Sequence, residues 1–157
     1  MQIKSPLLSE FFLLRVVIFS LFLLLIAAPL QAKPSYEKNL DEFFSLLSGS
    51  NAAEAMDGLI ATNPTWYEAE DGLGETISQL DQLQTIFGSY VGHERVGKFE
   101  YGERIRVLTY LVYHMESVVR MVFVFYRPDK AWRIMNFNFS EVTAEELMEA
   151  ASAFLRD

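Results

Sequence analysis

The chain has 157 residues, no cysteine, and 21 acidic against 13 basic side chains, a net charge of −8. Without a thiol there is no disulfide, no cysteine nucleophile and no thiolate metal site, so a hydrophobic core must carry the fold. The acidic balance lacks the clustered Lys and Arg that phosphate backbones require, which argues against nucleic acid and an anionic membrane surface as partners.

Residues 1–32 have the three parts of a secretory signal. Lys4 and Arg15 outweigh Glu10 in the leading segment. The run Val16 to Ala28 carries no charge and has Ser20 as its one polar residue. Pro29 then breaks the helix and Ala32 offers a small residue for cleavage. A spanning helix needs about 20 apolar residues, so the run suits a cleavable signal better than a permanent anchor. Retention as an anchor is the alternative, and export to the periplasm or beyond is the expectation. Losing Lys4, Arg15 and Glu10 takes the net charge to −9. The remaining residues, 33–157, number enough for one ordinary core and are read as one domain.

Leu40, Phe43, Phe44 and Leu47 follow the i, i+3, i+4, i+7 spacing of an amphipathic helix, which Gly49 is expected to end in a left-handed conformation. Asn51 with Glu54 forms a capping box for a second helix, burying Ala55, Met56, Leu59 and Ile60 and stopping at Asn63-Pro64. Trp66 and Tyr67 fall in the next connection. A third helix is predicted from about Gly74 to Phe87, with Ile77, Leu80, Leu83 and Phe87 on one face and Gly88 closing it. From Tyr90 the period becomes two. Strands are predicted at 90–99, 104–113, 118–126 and 131–139, joined by short turns, the last being Arg127-Pro128-Asp129-Lys130. Thr143 with Glu146 caps a final helix expected to bury Leu147, Ala151 and Phe154. Helices followed by hairpin-linked strands define an α+β class: N-terminal helices packed on a four-stranded antiparallel meander, with a C-terminal helix.

The helical first half and the hairpin Phe123-Val-Phe-Tyr-Arg-Pro-Asp-Lys-Ala-Trp-Arg-Ile-Met-Asn-Phe-Asn-Phe139 resemble small bacterial members of the nuclear transport factor 2-like superfamily, over residues 36–140. The resemblance implies a cone-shaped sheet around helices. In that superfamily the cone often houses a His–Asp or Tyr–Asp pair. Three helices ahead of the sheet and one after it depart from the common order. The related cystatin fold is the structural alternative, but the Gln-x-Val-x-Gly loop of its inhibitors is absent.

No catalytic motif emerges. Gly92-His-Glu-Arg-Val-Gly97-Lys98 matches seven positions of a phosphate-binding loop, but Phe99 stands where Ser or Thr should hold magnesium, and a strand follows rather than a helix. His93 and His114 are 21 positions apart with no Cys or His at ligand spacing, so no metal or other cofactor is expected. They read as a strand residue and a turn residue. Tyr110 and Tyr113 could face a cavity, although no acidic partner is placed beside them.

Strict alternation sorts the strands into two faces, both apolar. Phe99, Leu108, Tyr110, Phe123, Phe125, Met135 and Phe137 fall on one; Val96, Val107, Leu111, Val124, Trp132 and Ile134 fall on the other. The early helices can cover one face, and the last helix, a partner subunit or a ligand the other. Glu94, Thr109, Arg120, Asn136 and Asn138 gather on the second face as candidate ligand-binding residues or as the rim of a dimer interface. A plain cross-strand pair of Glu94 with Arg120 is the competing reading. Arg104, Arg106, Arg127 and Arg133 are expected at the far end of the first face, where they could hold an anion or pair with helix carboxylates.

The expectation is an exported, non-enzymatic binding or interaction module, homodimeric, taking a small molecule or an envelope protein. A hydrolase or isomerase using Tyr110 or His93 as its acid–base group is the alternative.

Overall fold

The computed structural model describes residues 35–63, 65 and 70–154. The expected signal segment, Trp66, Tyr67 and the side chain of Phe154 lie outside them. Three helices come first: α1 (Ser35–Ser48), α2 (Ala52–Ile60) and α3 (Glu70–Phe87). Four strands follow, β1 (Tyr90–Tyr101), β2 (Ile105–His114), β3 (Val118–Tyr126) and β4 (Arg133–Glu141), and then α4 (Ala144–Phe154). The strands form one antiparallel sheet in chain order, β1-β2-β3-β4. This is the expected α+β meander with a C-terminal helix.

The helix ends explain the early chain. At the close of α1, the Asn51 amide donates to Leu46 O at 3.1 Å and the Ser50 amide to Leu47 O at 3.1 Å. These are the paired bonds of a Schellman ending, and its left-handed residue is Ser50, with φ 60°, rather than Gly49. Asn51 then caps α2 as expected by accepting from the Glu54 amide at 3.3 Å, but the reciprocal half of a capping box is absent: the Asn51 backbone amide is taken by Leu46 O, and Glu54 accepts from the Asn51 Nδ2 instead. Gly88 closes α3 with φ 80°; a Cβ there would meet the Met115 Cβ at 3.0 Å, so both backbone conformation and space require glycine.

The three helices bury their apolar stripes against one face of the sheet, the inner face. Phe123 lies at the middle of the core, with ring centroids 5.3 Å from Phe43, 5.8 Å from Phe44, 5.8 Å from Tyr110 and 5.0 Å from Phe137. Leu40, Met56, Leu59, Ile60 and Leu80 fill the helix side. Leu108, Val112, Val119, Met121, Phe125 and Ile134 fill the sheet side. The α2–α3 connection also serves β4. Thr62 Oγ1 accepts from the Ile134 amide at 2.9 Å, and Asn63 Nδ2 donates to Ile134 O at 2.7 Å, so side chains satisfy part of the free edge of β4.

Several expectations need correction. Irregularities in β1 between Tyr90 and Gly92 and between Arg95 and Gly97 shift its alternation. Phe99 therefore pairs with Val107 on the outer face and is 60 % exposed, not buried with Tyr110. In β4 the register skips Met135, since Phe125 faces Ile134 while Val124 faces Asn136. Ile134 thus turns inward and is fully buried, Met135 is exposed, and Trp132 packs edge-on against Tyr36 at 5.1 Å on the inner side. His114 ends β2 as a buried residue rather than sitting in the turn. Its Nδ1 donates to Gly88 O at 3.0 Å. Finally, α4 starts at Thr143 as expected, with the Glu146 amide donating to Thr143 Oγ1 at 3.2 Å. The described part of its apolar side is not buried, however. Leu147 and Met148 are exposed, as is Ala151.

Candidate functional site

Three surfaces concentrate polar chemistry. The first is the outer face of the sheet. Register places Glu94, Leu111, Arg120 and Ser140 in one row, Gly97, Thr109, Val122 and Asn138 in the next, and Phe99, Val107, Val124 and Asn136 in a third. Glu94, Thr109, Arg120, Asn136 and Asn138 therefore share this face. They do not form one hydrogen-bonded group, because Leu111, Val122 and Val124 stand between them.

Glu94 accepts a hydrogen bond from the Tyr113 hydroxyl at 3.0 Å. Arg120 lies two strands away, about 10 Å at ordinary strand spacing. It donates to Ser140 Oγ at 3.1 Å and pairs with Glu146 of α4 at 3.4 Å. The two charges thus have separate partners. Thr109 faces Gly97, where an added Cβ would come within 3.2 Å of the Thr109 Cβ, so the sheet is tight at that point. Asn136 and Asn138 are exposed on the edge strand β4.

The second surface is the seam between α1 and β1. The His93 ring stacks on Phe44 at 4.0 Å, and its Nδ1 shares a 2.5 Å hydrogen bond with the Tyr90 hydroxyl. Burial against the helix lowers the His93 pKa, and the Asp41 carboxylate partly opposes that by favouring the charged ring. Tyr110 lies 6.0 Å away, ring to ring. Burial raises its pKa while Arg95 pulls it down, and Arg95 itself pairs with Glu37 at 3.1 Å. The acidic groups that strand alternation could not place beside Tyr110 come from the helix, across a large sequence separation.

The third surface lies where the inner face runs past the N-terminal end of α1. Here Tyr36 and Trp132 form the apolar side of a pocket of about 480 Å³, and Lys98, Arg106, Arg127 and Lys130 supply its charge together with Glu100. Both guanidinium groups lie over the Trp132 ring, Arg106 at 5.1 Å and Arg127 at 5.0 Å from its centroid. Glu100 bridges Lys98 and Arg106 at 3.0 Å each. The hydrogen bond from Lys98, with Arg106 adding its charge, holds the Glu100 carboxyl below the usual carboxylate range.

Of the four arginines expected together, Arg106 and Arg127 meet here. Arg104 donates to Pro128 O at 2.7 Å in the adjoining turns, and Arg133 pairs in register with Tyr126 on the outer face. Lys98, Lys130 and Trp132 were missed. Simple alternation put Trp132 on the wrong face, and nothing local ties a β1 lysine to the β3–β4 turn.

Among the described residues, no three His, Asp or Glu side chains converge as metal ligands would, and no helix is long and apolar enough to cross a membrane. No protein-family model matches the chain, and no curated protein or solved structure matches it significantly.

Proposed function

We propose that this chain is an exported, non-enzymatic interaction module of the nuclear transport factor 2-like type, acting as a homodimer through the outer face of its sheet. One observation carries the reading: the outer face is apolar along its middle and no described segment covers it. Val107, Leu111, Val122 and Val124 are half-buried there, while Phe99 and Tyr101 are 60 % and 69 % exposed. An apolar sheet face in contact with water is unfavourable, and α4 reaches it through the Arg120–Glu146 pair while its described apolar residues Leu147 and Met148 stay exposed. The face carries Glu94 on β1 and Arg120 and Arg133 further across. A second copy related by a two-fold axis can therefore oppose acid to base around an apolar centre. The helical first half and the closing hairpin support the family assignment.

Size-exclusion chromatography with light scattering on the mature chain tests the reading. A dimer mass at micromolar concentration is expected, and a monomer there rules the homodimer out.

The enzymatic reading centres on the seam, where Tyr90 orients His93 beside Tyr110. A hydrolase of that design turns over model esters and loses that turnover when His93→Gln is introduced. Equal background rates for both chains eliminate the hydrolase.

A further inference from the structure

The basic pocket is an anomaly in so acidic a chain. Four cationic side chains line it against one carboxylate, a surplus of positive charge that costs electrostatic energy unless an anion neutralises it. Glu100 answers two of the four, Lys98 and Arg106. Arg127 donates to Glu103 O at 3.1 Å, and no described carboxylate pairs with it or with Lys130.

The arginines are set in place before any ligand arrives. The Arg106 side chain is only 14 % exposed. Its Nε is fixed by Glu100, and its Nη1 donates to the Gly102 and Ile105 carbonyls at 2.9 Å and 2.8 Å. With Arg127 it is also aligned over Trp132, so little guanidinium freedom is left to lose on binding.

From this arrangement we propose that the pocket binds a small, multiply charged oxyanion that carries a phosphoryl group, with Arg127 and Lys130 as primary contacts and Lys98 and Arg106 released to it as Glu100 swings away. The volume suits a small molecule rather than a polymer. Cations reach the pocket from two directions, the sheet and the β3–β4 turn. A phosphoryl group, with three acceptor oxygens, answers both directions where a single carboxylate has only two oxygens. Glu100 is exposed enough to leave, its side chain being 47 % accessible, and in the free protein its carboxylate stands where a ligand anion goes. The proposal is independent of the dimer, since the pocket opens on the inner side of the sheet.

Calorimetric titration of the full chain with pyrophosphate at low ionic strength, beside parallel runs with citrate, provides the test. The expected result is saturable binding of one pyrophosphate per chain that weakens with added salt, with citrate clearly weaker. The double variant Arg127→Gln/Lys130→Gln should bind about tenfold more weakly or worse. Glu100→Gln should bind several-fold more tightly, a gain that misfolding cannot produce. Absence of saturable binding to the unaltered chain overturns the proposal, as does a double variant that binds as well as its parent. Citrate binding as tightly as pyrophosphate overturns the preference for a phosphoryl group.

Discussion

Ser50 and His93 illustrate how single residues carry costs that the surrounding structure overrides. Ser50 takes a left-handed conformation, with φ 60°, because the two bonds that end α1 demand it there. A side chain in that region is strained, so Ser50→Gly is expected to raise the unfolding free energy by about 0.5–1 kcal/mol, measured by urea denaturation. Glycine one position earlier, at Gly49, misdirected the reading. The sequence marks the neighbourhood of a helix end, but the hydrogen bonds decide which residue turns.

His93 has a lowered pKa in the folded chain, chiefly from its burial against Phe44, so the folded state binds the fewer protons. The stability linked to the neutral ring is complete above the unfolded value near ~6.5 and is lost as pH falls through the lower folded value. Tyr90 and Tyr110 also lie against the ring, with Arg95 beyond Tyr110, and the Asp41 carboxylate opposes the shift. Urea midpoints at fixed protein concentration should therefore drop as pH falls below ~6.5, and His93→Gln should flatten that drop.

Among the elements, the helices were legible because their signals are local. Apolar spacing, the Asn51 cap, Gly88 and Thr143 all act within one turn, and each appears where it was expected. What the spacing could not show is what each stripe meets. The stripes of α1 to α3 find the sheet, whereas the described part of α4 finds water. Strands β2 and β3 were also read closely, because both are central and regular. The outer strands were not. β1 carries two irregularities and β4 one, and each exchanges the faces of the residues beyond it.

Edge strand β4 depends on the helix connection. Removing the Thr62 hydroxyl in Thr62→Val leaves the Ile134 amide without its acceptor, and Ile134 is fully buried. The expected cost is about 1–2 kcal/mol, with earlier amide exchange at Ile134 than elsewhere in β4. Unchanged exchange there would show that the bond contributes nothing.

For the molecule as a whole, the sheet has one satisfied face and one exposed face. The inner face closes on Phe123, which no solvent reaches and which four aromatic rings surround. Phe123→Ala should cost about 3–5 kcal/mol, a large share of a domain's ordinary stability, read as a fall in urea midpoint. The outer face should behave oppositely. Phe99→Asp removes exposed apolar surface, so the folded monomer should tolerate it while the dimer dissociates, with light scattering reporting the mass. If Phe99→Asp keeps the dimer mass, the interface lies elsewhere.

Taken by itself, the amino-acid order determined the class, the order of the elements and the two apolar faces, since helix caps, hairpin turns and hydrophobic period are short-range effects. Tertiary structure decided which side of the sheet each outer-strand residue occupies. One irregular residue reverses a period of two, and its place is set by pairing with a strand far along the chain. That choice moved Phe99 outward and Ile134 and Trp132 inward. With Trp132 on the inner side, two arginines and two lysines distant in sequence came to share one pocket.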